Sequence, residues 1–333
     1  MQADLPTDFP CLRTHSGADG ILSRLERMAP ADLSAGEVLI RNRFAGVNYK
    51  DCLSILGRAR IIESYPRTAG IEAVGEVVHS ADARFAPGQP VIVHGFRTGI
   101  AFDGGFAQYL RAPAAHVMPL PAGLDAWQTA AIGVPGFTAG MALDRFMQAG
   151  LTPASGPVAI SGASGAVGML ATAILSRAGW QVAALTRKPE QAEALRALGA
   201  SEIIDAAVVN APPRALEKAR FAAAIDNVGG ATLAWLLRST QDSGCVASVG
   251  NAAGNSFEGS VLPFIMRGLQ HFGVVANAPW PVRKRVWDHL GTDWRPDFEA
   301  LAPHVREIAL EALPAHAAAQ LDGVTAGRTL VAF

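Results

Sequence analysis

Apolar and polar positions change their rhythm once along the chain, near residue 124. Before that point, residues 37–47 (Glu-Val-Leu-Ile-Arg-Asn-Arg-Phe-Ala-Gly-Val), 73–78 and 90–94 are short β-prone runs. Gly and Pro separate them, as in Ala86-Pro87-Gly88-Gln89-Pro90. Such runs between breakers predict a compact, mostly antiparallel β region over residues 1–124. After Pro121-Ala122-Gly123-Leu124 helical and strand patterns alternate. A helix opens at 126–132, followed by a strand at 157–160, a helix at 167–178, a strand at 181–185 and a helix at 188–198. Apolar runs at 222–225, 245–249 and 273–276 continue the series. This is βαβ arithmetic, so a doubly wound parallel-sheet domain is expected over residues 125–279. Residues 280–333 offer a Pro-started helix, an apolar helix around 313–321 and a final Arg-Thr-Leu-Val-Ala strand. With no sheet of their own, they are expected to return to the β-rich domain. The fold class is α/β, a parallel-sheet domain inserted into a β-rich one.

Composition narrows the partners. Lys plus Arg number 28 and Asp plus Glu 29, a net charge of −1, without a run of like charge. A nucleic-acid partner is disfavoured, because neutralising phosphates needs a basic stripe. The start, Met1-Gln2-Ala3-Asp4-Leu5-Pro6, lacks the basic and apolar regions of a secretory signal, and a cytoplasmic location is expected. Residues 157–175 are apolar enough to raise the question of a membrane span, but Gly162, Gly165, Gly168, Ser161 and Ser164 suit a strand, turn and helix better. Three scattered cysteines, Cys11, Cys52 and Cys245, provide neither a disulfide framework nor a four-Cys zinc lobe.

Candidate chemistry begins at Ser161-Gly162-Ala163-Ser164-Gly165-Ala166-Val167-Gly168, between a predicted strand and a predicted helix. A Gly-rich turn that opens a helix lets backbone N–H groups and the positive helix end meet a pyrophosphate. Tight packing alone also calls for such turns, but the strand–turn–helix context points to a Rossmann dinucleotide site. The second strand ends in Leu185-Thr186-Arg187-Lys188, where an NAD site would carry Asp or Glu for the ribose hydroxyls. Two cations and a hydroxyl there suit a 2′-phosphate, hence NADPH. Alternatively they only solvate a helix start, although cations there oppose the helix dipole. Asp226-Asn227-Val228-Gly229-Gly230 and Gly250-Asn251-Ala252-Ala253-Gly254 follow later strands at the same carboxyl edge, as further ligand loops or as plain turns.

The chain resembles the quinone-oxidoreductase branch of the medium-chain dehydrogenase/reductase superfamily, in the group that contains acrylyl-CoA reductase. The resemblance spans nearly the whole chain. It rests on Gly46-Val47-Asn48-Tyr49-Lys50-Asp51, Gly70-Ile71-Glu72-Ala73-Val74-Gly75, Gly104-Gly105-Phe106-Ala107, Gly136-Phe137-Thr138-Ala139, the Gly-rich turn, Pro263-Phe264-Ile265 and Gly327-Arg328-Thr329-Leu330-Val331. It implies a GroES-like catalytic domain around the Rossmann insert, a homodimer, NADPH, and reduction of an activated double bond or a quinone. By the same resemblance Tyr49, Thr138, Ser164, Gly165, Ala166, Val167, Thr186, Arg187, Lys188, Asn251 and Ile265 contact the cofactor. Asn48, Tyr49 and Glu72 take the catalytic positions. The chain departs from the family pattern at Glu72, where Asp is usual, at Ala206, where a second Arg aligns, and along the loop 95–103.

Zinc-dependent relatives place a Cys early in the catalytic domain and a His before the glutamate of a G-H-E-x-x-G segment. Here Asn48-Tyr49 and Ile71-Glu72 stand at those places, so no metal is expected. Hydride addition to an already polarised acceptor is then easier than alcohol oxidation, which needs a Lewis acid to hold an alkoxide. Asn48 would orient or donate, Tyr49 would pack the nicotinamide or donate its phenol, and Glu72 would set local charge or serve as a buried structural carboxylate. Three functions remain open: reduction of an enoyl thioester or enone, reduction of a quinone, and cofactor binding with little turnover. Arg58, Arg60 and Arg67 would suit a CoA thioester, or simply solvate a loop.

Overall fold

Among the described residues, ten strands of the first and last parts of the chain build the β-rich half. In the computed structural model, which describes residues 5–18, 20–212 and 214–333, β1 (Phe9–Gly17), β2 (Gly20–Met28) and β3 (Val38–Val47) precede α1 (Tyr49–Ile55). Next come β4 (Arg67–Thr68), β5 (Glu72–Ser80), β6 (Pro90–His94), β7 (Tyr109–Ala112) and β8 (Val117–Pro119), and then the long helix α2 (Ala126–Gln148). The central region alternates β9 (Val158–Ile160), α3 (Ala166–Arg177), β10 (Val182–Thr186), α4 (Ala192–Ala197), β11 (Ala200–Asp205), β12 (Phe221–Asp226), α5 (Gly230–Ser239), β13 (Thr240–Ser248), α6 (Leu262–Arg267) and β14 (Gln270–Gly273). The chain ends with α7 (Trp280–Gly291), α8 (Phe298–Leu301), β15 (Val305–Ile308), α9 (Leu313–Leu321) and β16 (Arg328–Ala332). Residues 1–4 of the chain start lie outside the described residues.

Two compact units result, Met1–Val134 with Val305–Phe333, and Pro135–His304. In the first, β2-β1-β4 form a small antiparallel sheet, and a larger sheet runs β15-β16-β3-β5-β6-β8 with β7 also on β3. The tail strands enter this sheet through β16, whose Thr329 lies opposite Val47 of β3. Cys52 and Ile55 of α1 and Leu313 and Ala317 of α9 share one core with Val331, which explains the apolar face of the tail helix. In the second unit the strands are all parallel, in the order β11-β10-β9-β12-β13-β14. Their apolar runs are buried between helices, as in Ala159, Ala183, Ala224 and Val246 beneath Leu233 and Leu236.

The unit boundaries differ from the expected 124/125 and 279/280 for identifiable reasons. Residues 126–134, the first turns of α2, group with the β-rich unit because Ala130 and Val134 bond to Arg328 and Glu72. Residues 280–304 stay with the parallel sheet. Val286, Trp287 and Leu290 of α7 are buried there, Trp287 stacks on Phe137 at 5.9 Å, and Gly140 leaves room for Val286. The last parallel strand also lies three residues before the predicted 273–276. Cys245 to Ser248 of β13 pair with Gln270 to Gly273, and Val275, the apolar residue that suggested a strand, is exposed.

Candidate active site

The parallel sheet places its loops where a dinucleotide site requires them. The chain leaves β9 to one side through β10 and β11 and returns to the other through β12, so the strand order reverses at β9 and β12. The turns after β9, β10, β12 and β13 all lie at the carboxyl edge of this switch point. Gly162 adopts a left-handed φ of 57°, and α3 begins at Ala166 with no side-chain cap at Gly165. A Cβ on Gly168 would overlap the Gly162 carbonyl, so the helix seats directly on the turn. The first-turn N–H groups of Ala166, Val167 and Gly168 are thus presented beyond the end of the sheet, as an anionic group needs.

Ser161 and Asp226 latch two of these turns together. Ser161 Oγ donates to Asp226 Oδ1 at 2.6 Å and accepts the Asn227 N–H at 2.9 Å, while Asn227 Nδ2 donates to the Ser161 carbonyl at 2.7 Å. Asp226 also accepts the N–H groups of Val228 and Gly229, at 3.2 Å and 2.9 Å. Burial pushes the Asp226 carboxyl up, and these donors pull it back.

At the end of β10 the buried Thr186 hydroxyl bonds Ser164 Oγ at 3.3 Å and accepts the Lys188 N–H at 3.0 Å. Arg187 is exposed and has no hydrogen-bond or ion-pair partner among the described residues. Across the register Thr186 faces Asp205, whose Oδ1 accepts the Ala207 N–H at 2.8 Å. A carboxylate therefore stands next to Ala206, where the family pattern has a cation. Thr138 is buried in α2, Asn251 is exposed and bonded to Asn255, and Ile265 on α6 is 70% exposed.

The β-rich unit gathers Asn48, Tyr49 and Glu72, with two residues that the sequence reading did not single out. Asn48 caps α1, and its Nδ2 donates to Glu72 Oε1 at 2.8 Å, Asp51 Oδ2 at 3.1 Å and the Gly46 carbonyl at 3.3 Å. Its amide is turned inward. Glu72 is also fully engaged: Oε1 accepts Arg328 Nη2 at 2.7 Å and Oε2 accepts the Val134 N–H at 2.7 Å. Tyr49 alone faces out, 39% exposed, with a hydroxyl that has no partner among the described residues. The missed residues are Arg328 and Asp51. An arginine at the head of an otherwise apolar strand was the available signal for Arg328.

Asp51 yields a pH test. It is fully buried, with Oδ1 on the Ile71 N–H and Oδ2 on the Asn48 N–H and amide. Burial pushes its carboxyl up to about 7, against those hydrogen bonds and with added repulsion from Glu72. The unfolded chain releases this proton near pH 4 while the folded chain holds it to about 7, so stability falls as pH rises through that window. Asp51→Asn removes this contribution to the slope. In urea unfolding, the free-energy difference between variant and wild type should move in the variant's favour from about pH 4 to about pH 7. A constant difference would show that Asp51 is ionised throughout.

No group of three or more His, Cys, Asp or Glu side chains suited to a metal ion occurs among the described residues. Residues 34–122 match the alcohol dehydrogenase GroES-like domain, and residues 166–291 match the zinc-binding dehydrogenase family. The acrylyl-CoA reductase AcuI of Ruegeria pomeroyi is 38% identical, over 92% of this chain and 93% of its own. YhfP of Bacillus subtilis, which carries a quinone oxidoreductase name, is 36% identical over 98% of this chain and 99% of its own. Its crystal structure with NAD bound superposes with a TM-score of 0.93, over 98% of this chain and 100% of that one. The yhdH oxidoreductase of Salmonella enterica, crystallised with NADP, also gives 0.93 at 35% identity, over 97% and 99% of the two chains. With its GroES-like and Rossmann parts both matched and relatives aligned nearly end to end, the chain belongs to the medium-chain dehydrogenase/reductase family, in the branch of quinone oxidoreductases and acrylyl-CoA reductases.

Proposed function

We propose that this protein is an NADPH-dependent reductase of activated carbon–carbon double bonds, acting on an enoyl thioester such as acrylyl-CoA or on an enone. The observation that carries the cofactor choice is Arg187, exposed and unpartnered at the end of β10 near the uncapped start of α3. AcuI, aligned over nearly its full length, supports the acceptor class.

Ser164, Gly165, Ala166 and Val167 would hold the pyrophosphate, and Thr186, Arg187 and Lys188 the 2′-phosphate. Thr138, Asn251, Ile265 and Tyr49 would contact the rest of the cofactor. NADPH, when bound, supplies the hydride. The acceptor's carbonyl oxygen gains charge as its β-carbon takes the hydride, a hydrogen-bond donor aimed at that oxygen lowers the barrier, and the resulting enolate takes a proton at its α-carbon from water or a nearby acid. The Tyr49 phenol is free for this role. Asn48 and Glu72 face away from solvent and serve by holding α1 in place.

A quinone reductase is the second reading, favoured by the kinship to YhfP. Oxidation of NADPH is followed with acrylyl-CoA, crotonyl-CoA, simple enones and quinones. The proposal expects turnover with thioesters or enones. Turnover with quinones alone overturns it, and tight NADPH binding without any turnover leaves a binding protein.

We also propose a homodimer formed through β14 and a cytoplasmic location. The outer side of β14 has no strand partner among the described residues, and Val261, Ile265, Met266 and Val275 expose apolar surface in the same region of the chain. No described helix is long and apolar enough to cross a membrane. Light scattering at micromolar concentration should give twice the monomer mass, and a monomer there would sink the dimer.

A further inference from the structure

Helix α2 is interrupted at Gly133, whose φ of 47° and ψ of −155° lie outside any helix. An unbroken helix would bond the Val134 N–H to the Ala130 carbonyl four residues back. Here the two groups are satisfied by opposite halves of one ion pair. The Val134 N–H donates to Glu72 Oε2 at 2.7 Å, and the Ala130 carbonyl accepts from Arg328 Nη2 at 3.0 Å and Nε at 3.3 Å. Glu72 Oε1 and Arg328 Nη2, 2.7 Å apart, complete the circuit. The pair is spliced into the helix in place of its missing bond.

The surrounding sequence is arranged for this pair. A Cβ on Gly133 would overlap both Arg328 Nη2 and Glu72 Oε2, and one on Gly46 would overlap Arg328 Nη2 and Glu72 Oε1. Both positions therefore need glycine. Arg328 Nη1 donates in addition to the Val47 carbonyl at 3.2 Å, so one guanidinium reaches β3, β5 and α2 from β16. The Glu72 oxygen that it holds is also the acceptor for Asn48, which caps α1 and precedes Tyr49. A lysine has one nitrogen and lacks the guanidinium's planar fork.

We propose that Arg328 is a positioning residue for the reaction, acting through Glu72 to fix the break in α2 and the start of α1. The proposal rests on the reductase reading above for its catalytic consequence, and on geometry alone for the splice. A neutral kink would need only a donor and an acceptor. The ion pair adds a fixed direction, because a guanidinium fork bonds its partners in one plane.

Full-length Arg328→Met and Arg328→Lys are compared with wild type by hydrogen exchange of the peptide spanning 128–138, by NADPH binding, and by kcat and KM for the best acceptor. In Arg328→Met, exchange of that peptide should be about tenfold faster and kcat about tenfold or more lower, with acceptor KM within about threefold. Arg328→Lys, which keeps the charge, should fall between and carries the test if Arg328→Met does not fold. Unchanged exchange in the folded variants overturns the splice. Wild-type kcat in the folded variants, with faster exchange, overturns the positioning role. A wild-type chain that reduces no acceptor, while the variants exchange faster, supports the splice and removes the reductase reading instead.

Discussion

Arg187→Ala should weaken NADPH binding by roughly ten- to a hundredfold and leave NADH almost unchanged, because a charged hydrogen bond contributes about 1.5–3 kcal/mol. A guanidinium grips a 2′-phosphate with paired bonds, whereas the ribose hydroxyl of NADH offers it nothing comparable. Arg187 has no competing partner among the described residues that must first be given up. Asp205 tempers the preference. It is the register partner of Thr186, and it adds negative charge where Ala206 supplies no second cation. Ala206→Arg should accordingly widen the gap between the two cofactors. Titration of NADPH and NADH against wild type and both variants, at one salt concentration, checks this, since exposed charges are screened by salt. A wild type with equal affinity for both cofactors, or an Arg187→Ala variant that loses both alike, would make Arg187 a solvated surface cation.

Glu72→Leu should cost about 3–5 kcal/mol of stability, the typical result of leaving one member of a buried ion pair alone. Both Glu72 and Arg328 are 2% exposed, so water cannot take over the lost partner. The Val134 N–H loses its carboxylate acceptor at the same time, and the Asn48 amide loses the shortest of its three hydrogen bonds. Glu72→Leu/Arg328→Met should be more stable than Glu72→Leu, because the uncompensated charge is gone. Urea unfolding of the two single variants and the double variant forms a cycle, with an expected coupling of about 2 kcal/mol or more. Purely additive effects would mean that the two charges do not depend on each other.

Features written within one short stretch of chain are legible in the sequence itself. The turn 161–168 is such a feature: glycine spacing, a preceding apolar strand and a following helix are all local, and the structure has them in that order. The same holds for the β-rich to α/β transition. The chemistry of Glu72 was not legible, since its main partner, Arg328, lies 256 positions away and only the closing of β16 onto β3 brings it near. Asn48 likewise gave no hint that its amide points inward, because that depends on two carboxylates flanking it in space. Asp205 is hidden in the sequence for a related reason. Its relevance follows from lying across from Thr186 in the sheet, 19 residues further along the chain.

The latch between Ser161 and Asp226 bears on how fast the cofactor arrives. Five hydrogen bonds of 2.6 to 3.2 Å, all made within the protein, fix the turns after β9 and β12. Little chain entropy is then lost at the phosphate loop on binding. Association at the phosphate loop should be a single second-order step, linear in cofactor concentration without a plateau, if these bonds hold the turns in their binding form.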